Sequence, residues 1–290
     1  MDFGIFSFPK MEFELVRILI GFVGLLIGSY FDVFNKRSVP EWFLYLFLAI
    51  CILINLLDLQ TLPFALGIGF FIFVIFYILY RFGQIGGADA YILGSIAFLL
   101  PFQPMSFLAI PDQIIGGIFI FNLFVYSGIL FMIYMFVYSL KIVSKDFSIS
   151  KEKMFKVLPV IFSYLIFVFI AYNSPIFILG LDSYALFLSI LVIFLTYFLL
   201  FEDKIKSSFV KFVGANEVEV EDIIDIDRMD KDLVKKYSLS RLVTKQQYEK
   251  MKKIKGKKIA LFSNLPPFIP FILIGYILTL LLGNPIFIIF

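Results

Sequence analysis

Two acidic residues stand where acids are expensive. Asp32 follows Gly28-Ser29-Tyr30-Phe31 in a long apolar run, and Asp89 follows Gly86-Gly87-Ala88 at the start of another. An ionisable side chain inside a membrane span costs about 3 kcal/mol on insertion scales, so each such residue marks a functional site by default. Two carboxylates brought close in a low-dielectric site cannot both ionise, so one keeps its proton while the other acts as a base. Such a pair can hydrolyse an amide: the ionised member deprotonates a water that attacks the carbonyl, and the protonated member donates to the carbonyl oxygen and then helps the amine leave. The pair titrates as a unit, and the sequence alone assigns neither role. Gly83, Gly86 and Gly87 before and around Asp89 permit unwinding and close approach of an extended chain. The same glycines equally suit a tight turn between spans.

Other catalytic chemistries are excluded by composition. The chain has no His and one Cys, Cys51. That rules out a Ser-His dyad, a Cys-His pair and a His-based zinc site, and a disulfide within the chain. Cys51 lies among Ile and Leu, where it reads as a small hydrophobe. No metal or cofactor is expected. The basic run from Lys250 to Lys258 precedes the last apolar segment and reads as an anchor to anionic lipid. It lacks the aromatic or motif pattern of a nucleic-acid surface.

The elements that must carry the two acids are membrane helices. The 290 residues are 61% hydrophobic with 40 Phe, against roughly 45–50% apolar residues in a soluble domain. Crossing a core of about 30 Å takes roughly 20 apolar residues in a helix. Apolar runs near 13–34, 41–58, 63–82, 89–101, 113–141, 157–173, 181–201 and 266–289 predict an all-α polytopic membrane protein with about eight transmembrane helices. The fourth is short, which fits tilt or shielding by neighbouring helices. Lys36, Arg37, Arg81, the cluster from Lys141 to Lys156 and the basic residues between Lys204 and Lys258 collect on one side, which is therefore expected to be cytoplasmic. Both termini are then outside, and Asp32 and Asp89 share one membrane depth near the cytoplasmic face. The first run lacks a basic leader and is not read as a removable signal. Glu12, Glu14, Glu41, Asp58, Asp112 and Asp182 fall at span ends, where the expectation is a surface carboxylate in water.

Residues 202–260 hold most of the charge and predict a small α+β cytoplasmic domain. The alternation Glu217-Val218-Glu219-Val220-Glu221 predicts a short strand, and Asp230 to Lys253 a charged helix ending near Gly256. The expected division is a transmembrane core over 1–201, with a helical pair at 157–201, the cytoplasmic domain over 202–260, and a final span over 261–290.

Three features resemble the intramembrane aspartyl proteases of the GxGD group, and within it the archaeal type IV prepilin and preflagellin peptidases. One is the stretch from Ser29 through Asp32, Lys36 and Arg37 to Val39-Pro40. Another is Gly86-Gly87-Ala88-Asp89 at the GxGD position. The last is a domain containing Phe212-Val213-Gly214, followed by Pro266-Pro267-Phe268-Ile269-Pro270 into a final span. Ala88 replaces the second Gly of the motif, and 157–201 adds a pair to the six spans of the family, as in a divergent subfamily. The resemblance implies that Asp32 and Asp89 are catalytic, with Gly86, Gly87 and Ala88 supporting the backbone. The substrate would be the class III signal peptide of a prepilin or preflagellin, a basic leader before a hydrophobic helix, cut on the cytoplasmic side. No methyltransferase activity is expected. Tyr30 and Gln84 are candidates to contact a carboxylate or the substrate; Ser29, Lys36 and Arg37 lie nearby. An interface Tyr and a Lys-Arg pair also serve simply as membrane anchors and topology signals. The alternatives are a proton- or cation-coupled transporter using two intramembrane carboxylates, and an inactive scaffold whose acids are structural.

Overall fold

The computed structural model describes residues 11–35, 39–104, 118–145, 147, 151–173, 182–220, 222–252, 254, 257–263 and 265–283. The Lys36-Arg37 pair, Lys10 and Asp112 fall outside them. The protein is mostly helical. Helices α1 (Glu14–Phe34), α2 (Glu41–Leu53), α3 (Leu62–Arg81), α4 (Gly87–Leu99), α5 (Phe119–Val143), α6 (Lys151–Asn173) and α7 (Asp182–Phe209) are followed by strand β1 (Val210–Gly214), short helices α8 (Lys231–Tyr237) and α9 (Lys245–Met251), strand β2 (Lys258–Phe262) and helix α10 (Ile269–Leu282). A helix thus occupies each of the eight apolar runs. Among the described residues four of them, α1, α3, α5 and the first 20 residues of α6, are long and apolar enough to cross a membrane; α2, α4 and α10 are shorter apolar helices.

Two compact units result, Met1–Ser127 with Phe209–Gly283, and Gly128–Ser208 with Asn284–Phe290. In the first, α4 is the centre. Nine of ten consecutive residues, Ala90 and then Ile92 to Leu99, are buried, the mark of a helix enclosed on all sides. At 13 residues it rises about 20 Å, too little to span alone, and α2, α3 and α1 shield it. The α3–α4 contact is the most extensive, and glycines interlock in it reciprocally: Gly69 of α3 receives Phe98 of α4, and Gly94 of α4 receives Phe73 of α3, with no room for a Cβ at either. Small residues at helix interfaces do this work in membranes, where lipid removes the hydrophobic drive to associate.

One end of this unit is closed by a buried polar network. Arg17 is 0% exposed and Asp58 1%. The guanidinium donates to Asn55 Oδ1 (2.6 Å), to the carbonyls of Leu99 (3.0 Å) and Glu12 (3.1 Å), and pairs with Asp58 Oδ2 at 3.5 Å. Asp58 also accepts from the Thr61 hydroxyl (2.6 Å) and N–H (3.2 Å) and the Glu12 N–H (2.9 Å). Glu14 is buried as well. The expectation of surface acids at positions 14 and 58 is therefore corrected. Arg17 lies within the first turn of α1, and its partners at the free C-terminal carbonyl of α4 and in the α2–α3 link converge on it.

The second unit is an antiparallel arrangement of α6 and α7 with the later part of α5. Lys153 near the start of α6 bridges Glu202 (3.3 Å) and Asp203 (3.0 Å) near the end of α7, Tyr164 bonds Ser189, and Ser139 of α5 bonds Tyr197 at 3.0 Å. The predicted pair at 157–201 is thus longer at both ends, and α7 carries its charged last turns on to Phe209.

The charged domain departs from its predicted elements. Its sheet is β1 against β2, antiparallel, with Val210 opposite Phe262 and Gly214 opposite Lys258. The described residues of 217–221 form no strand. Glu217 N–H closes a turn on the Gly214 carbonyl and Glu219 N–H goes to the Asp222 carboxylate at 2.6 Å, local bonds that compete with a ladder. The predicted helix from Asp230 to Lys253 is broken into α8 and α9. Ser238 ends α8 in the left-handed conformation, φ 51°, and Thr244 with Gln247 forms a capping box that starts α9.

Candidate active site

Asp32 sits in the last turn of α1, 7% exposed. A Cβ on Gly28, one turn earlier, would stand 3.0 Å from Ile92 Cδ1 and 3.5 Å from Ile269 Cγ2, so the glycine sets α1 against both α4 and α10. Asp32 Oδ2 accepts the N–H of Ile269 at 3.1 Å, across 237 positions in sequence. Ile269 is the first residue of α10 and Pro270 the second. A helix start leaves N–H groups free and carries partial positive charge, and proline fits there because it has no N–H to lose. A carboxylate from α1 fills that place.

Asp89 is the third residue of α4, half-buried. Its carboxylate folds back against Gly86, the residue that caps the helix in extended conformation, φ −67° and ψ 149°. That approach leaves little room for a side chain: a Cβ at 86 would lie 2.8 Å from Asp89 Oδ2. Gly83 closes α3. Its φ is +66°, its N–H bonds the Tyr80 carbonyl at 2.8 Å, and the Gln84 N–H bonds that of Leu79 at 2.9 Å, a Schellman ending in which glycine is the natural residue. Gly87 is therefore the first residue of a regular helix, lying against the buried Tyr80 ring, and no unwinding occurs there. Ala88 packs partly buried against the core.

Asp32 and Asp89 are close enough that the charge of one acts on the other. The two acids singled out in the sequence are thus brought together at one end of the first unit. Tyr30 is not gathered with them. It is 60% exposed, and its ring lies 5.9 Å from that of Phe31 and 5.2 Å from that of Phe34 on the outer side of α1. Gln84 is exposed in the link before α4. Sequence reasoning missed the Ile269 N–H and the buried Tyr80. Pro270 gives the start of α10 as a signal, but nothing local announces that a residue in α1 would meet it.

Neither a curated protein nor a solved structure matches the chain. Residues 19–137 match the sequence model of the type IV leader peptidase family, and both aspartates fall inside the match, whereas β1, β2 and α10 lie beyond it. The segment from α1 into α5, which carries Asp32 and Asp89, is thus similar to the type IV leader peptidase family.

Proposed function

We propose that the protein is a membrane-embedded aspartyl endopeptidase that removes class III signal peptides from prepilins or preflagellins of the archaeal type, with Asp32 and Asp89 as the catalytic pair. The observation that carries this reading is the convergence of two carboxylates from different helices, α1 and α4, within each other's electrostatic reach. Asp32 is oriented by the Ile269 N–H at the start of α10, and Asp89 lies against Gly86 at the start of α4. One activates water and the other donates to the scissile carbonyl oxygen. Gly86, Gly87 and Ala88 hold Asp89 at the helix start. Arg81 and the Lys-rich domain lie toward the same end, which the positive-inside rule makes cytoplasmic. That is where the basic leader of an unexported preprotein waits.

The interior weighs against transport. Between the carboxylates and Arg17 the helices meet through Leu25, Ile92, Leu93, Ile96, Leu99 and Ile272, all buried and apolar. A coupled transporter needs polar groups leading from its site to both faces.

Purified protein reconstituted with a tagged prepilin is the test. The expected product lacks a short basic leader and begins at the edge of the hydrophobic helix, as read by mass spectrometry. An uncut prepilin, together with an uncut preflagellin, contradicts the reading.

A further inference from the structure

The charged domain is built between two cores. Its segments around Ile223 and Leu242 pair in antiparallel fashion, held by Ile224 N–H to the Arg241 carbonyl (2.8 Å) and Val243 N–H to the Asp222 carbonyl (2.9 Å). Side chains of a paired extended segment alternate between faces, and here each face enters a different core. Ile224 and Val243 are buried in the domain's own cluster with Met251, Ile259 and Ala260. Leu242, 7% exposed, is instead buried in the helical cluster that contains Tyr80, Ala90 and Ile269, and Ile223 packs against that cluster, as does Ile85. Next to Leu242, the aliphatic stem of Arg241 covers Gly83. Its Cγ, Cδ and Cβ lie 3.4, 3.5 and 3.6 Å from where a Cβ on that glycine would be. The domain thus holds the link that leads into Asp89.

A second connection runs to Asp32. Strand β2 is tied into the domain on both sides, by its pairing with β1 and by bonds with the segment around Ile223, Phe262 N–H to the Ile223 carbonyl at 3.0 Å and Asp225 N–H to the Ala260 carbonyl at 2.9 Å. After β2 ends at Phe262, α10 begins at Ile269, whose N–H holds the Asp32 carboxylate. One small domain therefore touches the support of each aspartate, one through Arg241 and Leu242 and the other through β2.

We propose that residues 210–262 form a positioning yoke: docking of Ile223 and Leu242 on the helical core, with Arg241 over Gly83, sets the separation of Asp32 and Asp89. The inference rests on the peptidase reading for its catalytic consequence, though its geometric content does not. Leu242 and Arg241 are positioning residues that act through the Gly83–Gly86 link. A displacement of about 1 Å in a reacting group suffices to cost about 100-fold in rate.

Two measurements on the full-length chain in membranes test the yoke. The first is cross-linking between cysteines in an Asp32→Cys, Asp89→Cys double variant with a short thiol-specific linker; the native Cys51 is fully buried. This readout needs no activity. Cross-linking is expected in the otherwise native chain and in a Leu242→Met background, and to be lost with Leu242→Asp. The second is cleavage with both aspartates present: Leu242→Asp lowers kcat by about 100-fold with KM little changed, and Leu242→Met retains the native rate. Should Leu242→Asp fail to accumulate, Leu242→Ala combined with Arg241→Ala carries both readouts. Cross-linking indifferent to these substitutions overturns the yoke, and so does lost cross-linking with an unchanged kcat. Cleavage that survives Asp32→Asn or Asp89→Asn overturns the peptidase reading instead, leaving the cross-linking comparison to decide the yoke.

Discussion

The two ends of α1 bury charge in opposite ways. At one end Arg17 is surrounded by an opposite charge, an amide and two carbonyls. About 22 Å away by helical rise, at the other end, Asp32 is placed within reach of a second acid. A buried charge with an opposite partner and saturated hydrogen bonds is a structural device, because removing either partner strands the other. A like-charged pair brings no such return to stability. Its retention asks for a chemical reason, and the shared proton of two carboxylates supplies one. Burial of an ionisable group in a membrane helix therefore does not by itself distinguish site from scaffold; the sign of the neighbour does.

Substitutions that should act at one end and spare the other test that contrast. The largest effect is expected from Asp32→Asn and Asp89→Asn, each lowering cleavage roughly 10⁴-fold or more, as loss of a group from a catalytic unit does, with thermal unfolding in detergent little altered. Arg17→Ala should show the reverse. It leaves Asp58 buried without its cation and costs about 3–5 kcal/mol of stability, seen as a lowered unfolding temperature, while the protein that stays folded cleaves normally. Replacing both members, Arg17→Met with Asp58→Leu, should recover most of that loss, since neither charge is then stranded.

Gly86→Ala comes next. Its Cβ would press on the Asp89 carboxylate at 2.8 Å, and a loss of about 100-fold in kcat is expected with the helices intact by circular dichroism. Gly67, which has open space around it, should accept the same change with no loss and serves as the control.

The smallest effect belongs to Asp222 beside the proposed docking ladder. Burial raises its pKa above the usual carboxylate value, the Glu219 N–H opposes the rise, and the Glu219 charge adds to it. A carboxyl with a raised folded pKa takes up protons on folding. It therefore favours the fold at acid pH, and that contribution is lost as pH rises through the folded value. Asp222→Asn should flatten this decline in the unfolding of the 210–262 region without changing it at low pH.

Much of this was legible in the sequence because membrane burial is costly enough to leave local marks. The eight apolar runs each hold a helix, and Asp32 and Asp89 stood out as acids within them. Gly86 was legible as a glycine but not its reason, which is the return of the Asp89 carboxylate to the cap. Glu14 and Asp58 were misjudged for the opposite cause: each lies near the end of an apolar run, where water is the default partner, and only the packing of the surrounding helices and links removes it. The Glu217–Glu221 alternation carried a strand pattern, yet short-range bonds from Glu217 and Glu219 consumed the backbone donors. The break between α8 and α9 was available in Thr244-x-x-Gln247, a capping signature inside what otherwise reads as one charged helix. The hold of Ile269 on Asp32 spans 237 positions, and no local pattern encodes a contact of that length.

The central claim is that the two aspartates, and not the buried ion pair, perform the chemistry. Its most direct test is cleavage of one preprotein by membranes carrying equal amounts of the native chain, Asp32→Asn, Asp89→Asn and the double variant Arg17→Met, Asp58→Leu, with N-terminal mapping of the product. The account predicts the same cut from the native chain and the double variant and none from either single aspartate variant; cleavage persisting in either of those would contradict it.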